Sequence, residues 1–273
     1  MNIKTVIIIT SHSAYLDVCQ NFIFLFNKYW NNCPFKIVLS YYGENINVAD
    51  NFQNVDVLYN GEKTTLPTCI YNVKKKYNAD YYLCFLGDAF ITKKIDTDTV
   101  NDILISLKEN NISCCNLKPK HILYNLMSKY KIDEYQRYLT VNERYGVSFV
   151  SFIAASDFIE KKFRNGITDL EFEIEYLNKG IIVEKDPFFY SILKKNIFNG
   201  NPGIVKGKWE KTVLNKLKKE NPEFEFCKRE SLSYKSEIII KISRITSNFV
   251  PNKMRKKIKK IISLLFDFKF NTK

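Results

Sequence analysis

Three short clusters in this 273-residue chain bring polar groups together directly after an apolar run. They are Thr10-Ser11-His12, Tyr41 to Glu44, and Leu86-Gly87-Asp88-Ala89-Phe90. Asp88 carries the most chemistry. An acid closing an apolar strand stands where a divalent cation on a diphosphate needs an oxygen ligand. Gly-Asp is also a common turn dipeptide, so the residue taken alone reads first as a turn former, and the surrounding pattern shifts the balance. Two frequent routes to a bound nucleotide are missing. No G-x-G-x-x-G follows the first apolar run, and no G-x-x-x-x-G-K-[ST] occurs anywhere, which argues against a dinucleotide fold and a P-loop enzyme. With only His12 and His121, and no C-x-x-C among seven cysteines, a zinc site is also disfavoured, so any metal would be held by carboxylates.

The elements that must position these clusters follow from periodicity. Val6 to Ile9 is β-branched and apolar, a buried strand. Tyr15, Val18, Cys19, Phe22, Ile23, Phe26, Tyr29 and Trp30 then recur at helical spacing. Past Pro34, Phe35 to Ser40 predicts a second strand. Val55 to Tyr59 and Tyr81 to Phe85 predict strands around a helix over Thr64 to Tyr77. A helix on Val100, Ile103, Leu104 and Leu107 precedes a strand from Ile112 to Asn116. Lys118 to Arg144 keeps no clean period and reads as a lid or irregular insertion. Beyond it come a strand at Val147 to Ala154, helices at Phe158 to Phe163 and Asp169 to Leu177, a strand at Ile181 to Val183, and a lysine-rich helix on Trp209, Val213, Leu214 and Leu217. Alternating strands and helices predict an α/β fold with a mostly parallel sheet flanked by helices. In such sheets ligands gather at the carboxyl ends of the strands, where the three clusters fall.

The net charge of +13 is localised. From Lys228 to Lys273 there are 13 Lys and Arg against 3 Asp and Glu, a net +10; residues 1–227 carry 29 against 26, a net +3. A boundary is therefore expected at 227, with a catalytic domain over 1–227 and a tail over 228–273. Within the tail, Lys253, Arg255, Lys256, Lys257, Lys259 and Lys260 crowd together, while Met254, Ile258, Ile261, Ile262, Leu265 and Phe268 hold helical spacing. This predicts a basic amphipathic helix resting on an anionic membrane surface through residues 251–270, where each cation contributes on the order of 1 kcal/mol. A helix packed on the catalytic domain is the bland alternative; nucleic acid is not the expected partner. Odd, irregularly spaced cysteines, no signal-peptide pattern and no apolar window of about 18 residues predict a cytoplasmic protein, peripheral on the inner face of the membrane.

Taken in order, the segments resemble glycosyltransferases of the GT-A fold, and within them a bacterial group that builds capsule and lipopolysaccharide sugars. The resemblance spans most of Met1 to Cys227. In that group the first strand ends in a Thr-Ser turn, here Thr10-Ser11, before a Tyr-containing helix start, here Tyr15. A later strand ends in an acidic pair followed by Phe-Leu-Thr; here the run is Leu86-Gly87-Asp88-Ala89-Phe90-Ile91-Thr92, with Gly87 in place of the first acid. The group's Trp-x-x-Glu corresponds to Leu170-Glu171-Phe172-Glu173, and its Val-x-x-Gly-Lys-Trp to Ile204-Val205-Lys206-Gly207-Lys208-Trp209.

The resemblance implies a GT-A-like transferase that moves a sugar from a nucleotide-sugar to a glycan or lipid-linked acceptor in cell-surface polysaccharide synthesis. Thr10, Ser11 and Tyr41 would lie near the nucleotide, and Asp88 near the diphosphate and any manganese or magnesium. The missing acid at Gly87 puts the cation in question and draws attention to Lys206 and Lys208, which could neutralise the leaving diphosphate or be an ordinary exposed pair. Glu173 would take the acceptor's proton, although with Leu170 in place of Trp the role could slip to Glu171 or Asp169. The rival readings are an inactive membrane- or nucleic-acid-binding adaptor on the same fold and, third, a nucleotidyltransferase, whose Gly-rich basic loop the segment Thr10 to Ser13 lacks.

Overall fold

The computed structural model describes residues 3–47, 52, 54–119, 131–139, 147–172, 189–198 and 200–249. Its contacts divide the chain into two units, Met1–Pro202 and Gly203–Lys273.

The first unit is α/β. Strands β1 (Thr5–His12), β2 (Lys36–Tyr42), β3 (Asp56–Tyr59), β4 (Tyr81–Leu86), β6 (Ile112–Asn116) and β9 (Phe189–Leu193) share one direction; β7 (Gln136–Tyr138) and β8 (Ser151–Ala155) oppose it. Together they form one eight-stranded, mostly parallel sheet in the order β3-β2-β1-β4-β8-β6-β9-β7. A two-residue strand β5 (Ala89–Phe90) leaves the end of β4 and pairs antiparallel with β10 (Asn201–Pro202).

Helices cover both faces. On one, Phe22 of α1 (Leu16–Tyr29) packs on Phe85 at 5.9 Å between ring centroids. The Trp30 indole donates to Thr97 Oγ1 at 2.9 Å, tying α3 (Thr97–Glu109) to the end of α1. On the other face, Ile70 and Val73 of α2 (Leu66–Lys76) and Phe158, Ile159 and Phe163 of α4 (Ser156–Phe163) join Val6, Ile8, Tyr82 and Cys84 in one buried cluster. The caps are local chemistry. Thr65 accepts from Thr68 N to start α2, with Pro67 in its first turn, and Asp96 accepts from Thr99 N to start α3.

The observed elements extend the expected ones. Two strands the periodicity does not predict, β7 and β9, complete one end of the sheet, and β7 lies inside the stretch expected to be irregular. The predicted strand at Ile181 to Val183, and residues 173–177 of the predicted helix, lie outside the described residues.

In the second unit, Ile204 to Trp209 is a β-hairpin of β11 (Ile204–Val205) and β12 (Lys208–Trp209), followed by α5 (Lys211–Glu220) and α6 (Tyr234–Phe249). Trp209 therefore belongs to a strand, not to the helix its spacing suggests. It is fully buried, with its indole donating to the Cys227 carbonyl at 3.0 Å and its backbone bonded to Glu230 and Leu232. Those bonds run across position 227, where the composition changes. Glu237, 4% exposed, accepts from Thr212 N at 3.2 Å and serves the open amides at the start of α5. No helix among the described residues is long and apolar enough to cross a membrane. Residues 251–270 lie outside the description.

Candidate functional site

From β1 the chain steps one way to β2 and β3, then returns to β1's other side as β4. Such a reversal makes the carboxyl ends of β1 and β4 a topological switch point, where ligands of open α/β sheets bind. Thr10 pairs with Leu86 there, and Gly87 N donates to the Thr10 carbonyl at 3.0 Å.

Thr10 and Ser11 are buried, and their hydroxyls are used within the fold. Thr10 Oγ1 donates to the Phe85 carbonyl at 3.3 Å and Ser11 Oγ to the His12 carbonyl at 3.1 Å. Tyr41 is also buried. Its hydroxyl donates to the Ile46 carbonyl at 3.0 Å, and its ring lies 5.3 Å from Tyr59 in the wall of an open cleft of about 600 Å³ that Asn45 and Asn47 also line. Of the three residues Tyr41 lines the cleft, and all three hydroxyls are thus engaged within the fold at this edge of the sheet.

The polar groups at its rim come next along the chain. His12 caps the 3-10 turn Ser13–Tyr15 by accepting from Ala14 N through Nδ1 at 3.0 Å, and its ring stands edge-on to Tyr42 at 4.8 Å. Ser13 Oγ accepts from Glu44 N at 3.0 Å, which clips the loop after β2 to the end of β1. Gly43 makes that clip possible. Its φ is +100°, and a Cβ there would lie 2.4 Å from Ser13 Oγ.

Asp88 follows in the turn after β4, half-buried, with Oδ1 enclosed. A Cβ added to Gly87 would lie 2.3 Å from Cys19 Sγ on α1, so the acid that the GT-A pattern places there would have to displace the Cys19 side chain. Among the described residues no three His, Cys, Asp or Glu side chains come together. There is thus among these residues no donor set for an ion caged by protein alone, and a cation at this turn would take Asp88 and the oxygens of a diphosphate.

Glu173 lies outside the described residues, but the segment leading to it is clear. Phe172 is buried among Phe149, Phe158 and Phe163, with centroids 5.3 to 6.0 Å away. Thr168 and Glu171 form a reciprocal cap. Glu171 Oε2 accepts from Thr168 N at 2.8 Å and from its hydroxyl at 2.9 Å, while Glu171 N donates to Thr168 Oγ1 at 3.1 Å. The backbone and hydroxyl bonds from Thr168 hold the Glu171 carboxyl below the usual range, as suits a cap and not a base. Burial raises the Tyr42 hydroxyl, with Cys69 and Asp169 adding to the effect, so the Asp169 charge acts on the end of β2. Thr65 Oγ1 donates to the Ile167 carbonyl at 2.9 Å and pins this segment to the start of α2.

Lys206 and Lys208 belong to the second unit. Lys206, at φ +52°, and Gly207, at φ +78°, are the two central residues of the hairpin turn, a type I′ geometry. Lys208 Nζ meets Glu230 Oε2 at 2.5 Å and holds that carboxyl below its usual range. The segment Ile204 to Trp209 is thus a β-hairpin with a two-residue turn.

No protein-family model and no curated protein matches the chain. Solved structures match by shape. A cytidylyltransferase from Leptospira borgpetersenii is 14% identical, at a TM-score of 0.49 over 92% of this chain and 99% of that one. CMP:2-keto-3-deoxy-manno-octonic acid synthetase complexed with CTP is 11% identical, at 0.47 over 81% and 99%. Staphylococcus aureus TarS is 13% identical, at 0.44 over 70% of this chain, which spans only 35% of TarS. The fold described above rests on its own strand order and register.

Proposed function

We propose that the protein is a GT-A-type glycosyltransferase that moves a sugar from a nucleotide-sugar to a glycan or lipid-linked acceptor in the synthesis of bacterial cell-surface polysaccharide. One observation carries the reading: Asp88 directly follows β4, at the switch point where strand order reverses beside β1. Thr10, Ser11 and Tyr41 lie near the nucleotide, and Asp88 faces its diphosphate. A manganese or magnesium ion on Asp88 would neutralise charge on the leaving group.

The chain's own groups carry the remaining steps. An acceptor hydroxyl attacks the anomeric carbon, its proton passes to the Glu173 carboxylate, and the bond from that carbon to the diphosphate oxygen breaks. With Glu171 committed to its cap, Glu173 is the first candidate for the base and Asp169 the second. Lys206 and Lys208 are candidates for neutralising the diphosphate. We place the catalytic domain at 1–227 and a basic tail at 228–273, whose residues 251–270 rest on an anionic membrane at its cytoplasmic face, near a lipid-linked acceptor.

The absence of an acid at Gly87, where one would have to displace Cys19, favours one alternative, a binding protein that keeps the fold without turnover. Thermal stability measured against nucleoside diphosphates and nucleotide-sugars, with and without manganese, separates the two. A midpoint raised by one nucleotide-sugar, followed by transfer that Glu173→Gln abolishes, supports the enzyme. Salt-sensitive binding to nucleic acid with no nucleotide-sugar effect supports the binding protein.

A further inference from the structure

His12 is the one residue of the first cluster that the roles above leave unused. Three features fix its ring. Nδ1 accepts from Ala14 N at 3.0 Å, the Tyr42 ring stands perpendicular with its centroid 4.8 Å away, and Gly43 lies close enough that any Cβ there would come within 2.9 Å of both Cε1 and Nε2. A nitrogen that accepts a backbone N–H carries no proton, so the neutral ring holds its single hydrogen on Nε2. Among the described residues no hydrogen bond reaches Nε2, although the side chain is only partly exposed. The fold thus holds a neutral N–H donor of set tautomer at the carboxyl end of β1, with a glycine against it in place of a side chain.

We propose that His12 binds the nucleoside part of the donor, its Nε2–H donating to an uncharged acceptor, a base carbonyl or a ribose hydroxyl. The inference rests on the reading of this edge as a nucleotide-sugar site. His12 pairs with Tyr42 on the β2 side of β1, whereas Asp88 follows β4 on the other side, so with the diphosphate at Asp88 the partner of His12 is taken from the nucleoside. His12 is a binding residue and takes no part in the proton transfer. Its cap role is separable from its ligand role, because the two nitrogens do different work.

Two substitutions divide them. In His12→Asn the side-chain oxygen can replace Nδ1 as the cap acceptor, but no donor reaches as far as Nε2. In His12→Gln a distal N–H returns while the cap is weakened. The probe is whichever of UDP, CDP, GDP, ADP and dTDP raises the wild-type melting midpoint most, with affinities measured by calorimetry on the full chain. Loss of one ligand hydrogen bond predicts a Kd for His12→Asn weakened about ten-fold at a wild-type midpoint, and for His12→Gln partly restored affinity at a lower midpoint. Unchanged affinity in His12→Asn overturns the inference and leaves the transferase reading intact. No binding of any probe by the wild type overturns both. Should His12→Asn fold poorly, nitrogen-15 shifts of the wild-type imidazole decide: protonation on Nε2, with a shift when the nucleotide is added, is expected, and protonation on Nδ1 overturns it.

Discussion

Cys19 of α1 occupies the space that a side chain on Gly87 would need, with Sγ 2.3 Å from the position of the absent Cβ. Helix α1 can therefore sit close against the turn that presents Asp88, and the missing acid is a packing solution as well as a change in the site.

Gly87→Ala is expected to destabilise the protein by about 1–3 kcal/mol, the usual cost of overpacking. Adding Cys19→Ala should recover much of that loss, because Cys19 Cβ stands at an ordinary 3.7 Å. A double-mutant cycle of denaturation midpoints measures the coupling, and additive losses would show that the two residues do not compete for this space.

The cap at Thr168 separates two neighbouring acids. Glu171→Gln keeps a capping side chain and should leave transfer within about two-fold of wild type, whereas Glu173→Gln should lower it by about 100-fold or more. Thr168→Ala removes the cap and should cost about 0.5–2 kcal/mol. Initial rates together with melting curves test all three. Equal losses from the two Glu→Gln variants would return the base to an open question between them.

Lys206 holds a left-handed conformation that β-hairpin turns normally give to Asn or Gly. Lys206→Asn should stabilise the protein by about 1 kcal/mol. If Lys206 also neutralises the leaving diphosphate, the same variant will melt higher and turn over more slowly, a combination that no purely structural role produces.

Stability should fall at both ends of the pH scale. Hydrogen bonds from Lys36 and Tyr77 hold Asp56 below its usual range, and bonds from Lys74 do the same for Glu160. Depressed carboxyls stabilise the fold above their unfolded pKa, and that contribution is lost as pH falls through the folded value, below about pH 4. Burial pushes Tyr77 and Tyr81 up to about 12, and Cys33 to about 11. Raised groups stabilise below their unfolded pKa and lose that effect as pH climbs toward the folded one. A melting-temperature profile should be level near neutrality and decline below about pH 4 and above about pH 9. A profile still rising at pH 10 would contradict these assignments.

The first half of the sheet was legible because Val6 to Ile9 and Tyr81 to Phe85 are continuous apolar runs with helical stripes between them. Direction was not. Ser151 to Ala155 is buried along nearly its whole length, and such a run reads the same whether its neighbours lie parallel or antiparallel. The hairpin at Ile204 to Trp209 was hidden because Lys stands where the turn signal expects Asn. Thr168-x-x-Glu171 did carry a readable capping signature. At the site, the sequence shows Gly87 where an acid was expected but not Cys19 filling the gap, since 68 positions separate them and only the packing of α1 brings them together.

The eight-stranded sheet ends on either side in a very short strand: β3, four residues beginning with Asp56, whose carboxylate bonds Lys36 at 2.7 Å, and β7, three residues including the buried Arg137. An open strand edge is a template for another chain, and its hazard grows with length, flatness and freedom from charge. Among the described residues each border offers an incoming strand few backbone groups, and the β3 border adds the exposed Asp56–Lys36 pair. A sheet built from long apolar runs thereby offers, over those residues, little template for edge-to-edge aggregation.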